Sequence, residues 1–155
     1  MTDKRTPQLI GPRQGQAYSV VGDRYIFKVT GAESDGAYAF FDFFIPPGNG
    51  SPPHVHHRED EGFHILAGEL TFFIGAERQR VVARVGDFVH APRDVPHFFR
   101  NEGPVPVHAL ALVAPAGLER FFAEVGIPLD SAEADPLPAA PEQMKKMLEV
   151  APKYG

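Results

Sequence analysis

Ten short runs of strand-forming residues follow one another between positions 17 and 116, each closed by Gly, Asp or Pro and none broken by a helical stretch. They read AYSVV, RYIFKVT, AYAFFDFFI, PHVHH, EGFHILA, ELTFFI, RVVARV, DFVHAP, HFFRN and VPVHALALVA. Such a succession predicts an all-β barrel or sandwich, because short strands with tight turns can close on one another without crossover helices. Gly22-Asp23, between the first two runs, reads as a tight hairpin. Thirteen Phe and no Trp point to a core of phenyl rings, which suits β-structure. At 155 residues the chain has room for one such domain. We expect a polar lead-in over 1–15, the barrel over 16–116 and a different organisation over 117–155.

The pattern changes after Gly117. Leu118, Phe121, Phe122 and Val125 fall at i, i+3, i+4 and i+7, the stripe of a short helix packed on the barrel. IPLDSAEADPLPAAP is rich in Pro and Ala and reads as a surface linker. Pro141 then fits the first position of a second helix through Val150, with Met144, Met147 and Leu148 on one face.

Charge narrows the partners. Fifteen Lys and Arg against 20 Asp and Glu leave a net charge of −5, and no basic run could follow a phosphate backbone. No segment approaches the roughly 18 apolar residues of a membrane span, and the first residues have no apolar signal core. The expectation is a soluble, cytoplasmic protein with neither nucleic-acid nor membrane partners. No cysteine is present, so disulfides and thiolate ligands are excluded.

Against that background four residues stand out. His54 and His56 are two apart, which in a strand puts them on one face. Glu61 follows across a short connection, and His97 opens a later strand after the turn APRDVP. Three strands converging in a barrel interior would gather three imidazoles and a carboxylate around one cation, at roughly 2.0–2.2 Å each. His57 has the opposite parity and should face away. His64 is out of phase with Glu61, while His90 and His108 read best as structural histidines. Glu59 and Asp60 read as a solvated turn.

The spacing of these residues resembles that of the cupin superfamily. Gly48, His54-x-His56, Glu61 and Gly68 follow its first motif, and Gly86, Pro92, His97 and Asn101 its second. One position departs: the family has Gly two after the Pro, where this chain has Asp94. Asp tolerates the left-handed backbone such a turn requires. Seventeen residues, 69–85, separate the motifs. Within the superfamily, HHREDEGFHILAGELTF and PRDVPHFFRN look most like small single-domain cupins of the quercetin 2,3-dioxygenase-like kind.

The resemblance implies a jelly-roll barrel, with His54, His56, Glu61 and His97 as ligands to one divalent transition metal per chain. Fe, Mn, Ni, Co, Cu and Zn are all admissible by donor type. It also implies that Glu61 acts as ligand and base, that Asn101 positions the second motif, and that the chain pairs as a homodimer. The activity expected is that of a metal-dependent dioxygenase acting on an enolisable, oxygen-chelating small molecule. The alternatives are a non-oxidative cupin enzyme (isomerase, decarboxylase or hydrolase) and a non-catalytic small-molecule-binding module. A Phe-lined pocket would favour an aromatic ligand; Arg, Lys or Tyr near the metal would favour a sugar or oxyacid.

Overall fold

The computed structural model describes residues 6–155 and is mostly antiparallel β-structure. The strands are β1 (Ala17–Val20), β2 (Asp23–Val29), β3 (Ala39–Ile45), β4 (Asp60–Ala67), β5 (Leu70–Ile74), β6 (Gln79–Ala83), β7 (Phe88–Ala91), β8 (His97–Arg100), β9 (Val107–Ala114) and β10 (Ile127–Leu129). Three helices accompany them: α1 (Gly31–Ser34), α2 (Leu118–Val125) and α3 (Pro141–Tyr154). The order β10-β1-β2-β3-β9-β4-β7 forms one sheet and β6-β5-β8 the other. This is the jelly-roll architecture the resemblance implies, within the all-β class the strand pattern predicts.

Alternation decides which side chains fill the space between the sheets. In β3, Ala39, Phe41, Phe43 and Ile45 are buried while Phe40, Asp42 and Phe44 lie on the outer face. The smaller sheet answers with Leu70, Phe72, Ala83 and Phe99. Ring centroids of Phe63 and Phe72 are 5.2 Å apart, and those of Phe43 and Phe99 5.8 Å, so the phenyl rings interdigitate across the two sheets. At the turn between β4 and β5, Gly68 has a φ of 77°, and a Cβ there would sit 2.7 Å from the Pro106 carbonyl oxygen. Only glycine fits that crossing. Asn101, fully buried, donates to the carbonyls of Ile45 and Val105 and accepts from Gly103 N–H, which locks the end of β8 to the end of β3.

Several local expectations need correction. The central residues of the β1–β2 hairpin are Val21 and Gly22, with φ of 47° and 89°, so the turn lies one residue earlier than Gly22-Asp23. A β-branched residue at positive φ is strained; Val21 is held there by burial and by its N–H donating to Gln143 Oε1 at 2.9 Å. GAESDG contains the one-turn helix α1, closed by a capping box between Thr30 and Glu33. The Pro/Ala-rich linker begins with a strand: Ile127–Leu129 pairs with β1 and extends the larger sheet. PHVHH is not a strand, and its only ladder contact is a reciprocal pair of backbone hydrogen bonds between His54 and His97, at 3.1 and 2.9 Å.

The two C-terminal helices lie where the hydrophobic stripes demand. Phe121 and Phe122 of α2 pack on the barrel, with Tyr25 and Phe122 stacked at 4.4 Å. α3 begins at Pro141 as expected and runs past Val150 to Tyr154. Met144 and Met147 face the core, whereas Leu148 remains exposed. Gln143 anchors this helix: besides the bond to Val21 it donates to the carbonyls of Ser19 (2.9 Å) and Val125 (3.3 Å). At the far end Lys153 and Tyr154 both hold Glu124 of α2.

Candidate metal centre

His54, His56, Glu61 and His97 converge, each offering a donor atom, and the four donors lie within 4.8 Å of one another. Each arrives from a different local environment. His97 opens β8, Glu61 is the second residue of β4, and His54 is pinned to His97 by the reciprocal backbone pair. His56 is placed by its own carbonyl, which accepts Asp94 N–H at 2.7 Å. Asp94 has a φ of 64°, so the left-handed turn expected where the family has Gly is present here with Asp.

Second-nitrogen contacts orient the rings. His54 Nδ1 donates to the Pro52 carbonyl at 2.7 Å and His97 Nδ1 to the Val95 carbonyl at 3.1 Å, leaving the Nε2 atoms for the centre. His56 Nε2 lies 3.3 Å and His97 Nε2 2.9 Å from Glu61 Oε2. Both nitrogens thus converge on one carboxylate oxygen. Three imidazole nitrogens and one carboxylate oxygen, without thiolate, suit a divalent transition ion. The residues present could therefore hold the metal the motifs imply.

Charge in this cluster is uneven. Burial pushes His54 down to about 4, although the Glu61 carboxylate pulls the other way. Burial also lowers His56, but the carboxylates of Glu59 and Glu61 on either side of it outweigh this and hold that imidazole up at about 10. Burial of Glu61 favours its neutral form, yet bonds from His56 and His97 win and keep it well below the usual carboxylate range.

Glu59 is not a solvated turn residue. It is 4% exposed, and its Oε2 lies 3.6 Å from His56 Nδ1 with no hydrogen-bond partner among the described residues. Its parity with Glu61 was the available signal, since both point to the interior side of the incoming β4. Asp60 is part of a fixed contact too: both of its carboxylate oxygens bind Arg93, and Oδ1 accepts Arg93 N–H at 2.9 Å. That pair ties the first motif to the second. His57 faces away as expected, its side chain 63% exposed and paired with Asp94 at 2.7 Å. His108 bonds Asp42 at 2.8 Å, and His90 is exposed.

The cluster opens on a cavity of about 210 Å³ between the sheets and the C-terminal helices. Tyr25, Phe41, Phe63, Phe99, Phe121 and Phe122 form much of its wall, and α3 contributes Met147, Leu148, Ala151 and Tyr154. Among the described residues no Lys or Arg lines it. Asp23 does, as an acid in an otherwise apolar region. Asp23 did not stand out in the sequence, whereas the second helix was open to capping either the barrel or a neighbouring subunit. The signal for Asp23 was its parity with Tyr25 and Phe27 on the inward face of β2.

A jelly roll with three histidines and a glutamate converging at its interior defines a β-barrel class that could hold a metal, and the chain carries a cupin domain resembling quercetinase-like proteins. Residues 41–113 match the Cupin_2 family, described as a cupin domain. The chain is 27% identical over 147 residues to quercetin 2,3-dioxygenase of Bacillus subtilis, covering 94% of this chain and 41% of that protein. It thus spans about two fifths of the length of that relative. Among solved structures, a predicted oxalate decarboxylase from Thermotoga maritima superposes with a TM-score of 0.62 at 20% identity, covering 70% of this chain and 99% of the other. The Cupin_2 domain of an XRE family transcriptional regulator from Enterobacter cloacae gives a TM-score of 0.53 at 20% identity, covering 60% and 96%. These two likenesses are of fold.

Proposed function

We propose that this cupin is a metal-dependent oxidoreductase of the dioxygenase type, acting on a small aromatic molecule that chelates through adjacent hydroxyl and carbonyl oxygens. His54, His56, Glu61 and His97 would hold the ion. The observation that carries this reading is the wall of the cavity: phenyl and phenol rings beside a His/Glu cluster, with no Lys or Arg among the lining residues. A sugar or a multiply charged oxyacid would leave its charges and hydroxyls unpaired against such a wall. The likeness to the Bacillus subtilis dioxygenase supports the same class. An apolar cavity of about 150 Å³ takes one benzene ring, so about 210 Å³ suits one or two fused rings.

When bound, the metal would supply Lewis acidity at the chelating oxygens and a template for O₂. The chain's own contribution is then positional. The Phe wall excludes water and holds the ring plane. Glu61, whose carboxylate lines the cavity, accepts the hydroxyl proton at a carboxylate oxygen and leaves the ligand as its electron-rich enolate. We further read the protein as cytoplasmic and as a homodimer. Among the described residues no helix is long and apolar enough to cross a membrane. The outer face carrying Phe88, 60% exposed, with Leu66 and Leu112, is an apolar surface suited to a second copy.

The test is to load the protein separately with Fe²⁺, Mn²⁺, Ni²⁺, Co²⁺ and Cu²⁺ and add 3-hydroxychromone, a two-ring hydroxyl–carbonyl chelator, in air and under nitrogen. We expect a red shift of its absorption on binding and O₂ uptake that depends on the metal. Binding without O₂ uptake under every metal, or turnover unchanged under nitrogen, would replace the dioxygenase by a binding role or a non-oxidative enzyme.

A further inference from the structure

We propose that Asp23 is a second polar anchor of the cavity, hydrogen-bonding an oxygen or nitrogen function of the ligand remote from the part held at the His/Glu cluster. The inference deepens the proposed function by defining the ligand's far end, and rests on that reading only for the end held by metal.

Asp23 begins β2, and its side chain shares the inward face with Tyr25. It is 2% exposed and lines the cavity. The Asn49 side chain bonds the carboxyl, while Oδ1 has no partner among the described residues. A buried acid with an unpaired oxygen is costly, so most buried polar atoms find partners. Among the described residues no Lys or Arg lines the cavity, and burial pushes this carboxyl up to about 8 against the opposing Asn49 bond. At neutral pH it therefore retains a proton and can donate as well as accept. A hydroxyl, carbonyl or ring nitrogen of the ligand would satisfy it at little cost in desolvation.

Its location sets the spacing. Asn49, which bonds Asp23, pairs by its backbone with Asn101, and His54 pairs with His97. Four residues along the chain separate His97 from Asn101, about 13 Å in extended strand. Tyr25, on the same face of β2 as Asp23, lines the cavity as well. The ligand this arrangement fits is a flat apolar body with a chelating edge and a second polar group at the opposite edge.

The decisive probes need no metal. 2-Naphthol and naphthalene share a two-ring body and differ by one hydroxyl, and neither chelates. The wild-type protein should bind 2-naphthol about tenfold more tightly than naphthalene. Asp23→Leu should erase the preference while leaving naphthalene affinity within about twofold, and Asp23→Asn, which keeps a neutral donor, should retain it. A preference that survives in Asp23→Leu, or no preference in the wild type, overturns the proposal. So does a preference lost in His54→Ala/His56→Ala but kept in Asp23→Leu, since the hydroxyl would then sit at the cluster.

Should Asp23→Leu not fold, infrared difference spectra decide. The protonated-carboxyl band absent from Asp23→Asn should shift in the wild type with 2-naphthol and stay in place with naphthalene. An unshifted band overturns the assignment. Failure of 3-hydroxychromone to bind metal-loaded protein, with the naphthol preference intact, would count against the proposed function and leave Asp23 as an anchor.

Discussion

Glu59 Oε2 faces His56 Nδ1 at 3.6 Å, on the side of the imidazole opposite Glu61. Two carboxylates thus hold one ring, which keeps His56 protonated in the metal-free protein at neutral pH. Metal ligation requires neutral imidazole, so loading must expel that proton. Calorimetric titration with Zn²⁺ at pH 7, repeated in buffers of different ionisation enthalpy, should show roughly one proton or more released per chain. Glu59→Gln should reduce the number released. A proton count of zero in the wild type would mean that His56 is neutral before the metal arrives.

Removing two imidazoles should remove the ion. The wild type should take up one divalent cation per chain, and at metal about 100-fold above Kd the folded state gains about 2.7 kcal/mol. His54→Ala/His56→Ala should bind none stoichiometrically and show no metal-dependent rise in Tm. Elemental analysis with thermal melts in added Zn²⁺ or chelator checks both, and stoichiometric binding by the double variant would refute the ligand assignment.

For Glu61 the expected separation is between holding and reacting. Glu61→Gln keeps an oxygen donor and the three imidazoles, but an amide cannot take a proton at neutral pH. Metal should be retained at reduced affinity while O₂ uptake with 3-hydroxychromone falls at least about 100-fold. Wild-type rates in the Gln variant would leave Glu61 as a ligand alone.

The position of Asp23 gives the protein a pH dependence of definite sign. Its carboxyl is raised to about 8 when folded, from an ordinary value of 3.8. Between those values the unfolded chain has lost a proton that the folded chain keeps, so unfolding becomes easier as pH rises. The stabilisation is complete below pH 3.8 and gone above about 8. His56, also raised when folded, adds the same sign above 6.5, while His54, lowered to about 4, gives the opposite sign below 6.5. Subtracting the urea-denaturation profile of metal-free Asp23→Asn from that of the metal-free wild type isolates the Asp23 share. The variant should gain relative stability from pH 5 to pH 8, and parallel profiles would show that Asp23 titrates normally.

Much of this site could be read in the chain because metal-binding spacing is a local property. Four candidate ligand positions and the left-handed Asp94 follow from residue type and turn chemistry within two short segments, and the structure brings those residues together. α2 and the start of α3 were legible for a similar reason, their apolar stripes having the helical period. What escaped depends on pairing across long separations. Ile127–Leu129 is a strand because β1 offers it an edge, which nothing in a three-residue segment between Gly126 and Asp130 announces. The hairpin frame shifted to Val21-Gly22 because burial and Gln143, 122 residues away, hold a valine in a conformation it disfavours. Glu59 looked solvated within an acidic run, although its parity with Glu61 already pointed it inward beside His56.

Gln143→Ala should loosen α3. It deletes the acceptor for Val21 N–H and the donor to two carbonyls, leaving buried backbone groups unpaired at about 1–3 kcal/mol. We expect lower stability in urea and faster hydrogen exchange in residues 141–154 than in the β-strands. Equal protection across the molecule would mean that the helix is held by its methionines and not by this amide.

The helix that Gln143 tethers is one wall of the cavity, and that wall fixes how wide a ligand may be. The same wall stands between the cavity and the outside. Discrimination and exchange are therefore mechanically coupled: a more firmly tethered helix narrows the choice of ligand and lengthens its stay together. Changes at Gln143 or at the Glu124 contact would move both quantities in one direction, so a variant that accepts a larger ring system should also release every ligand faster.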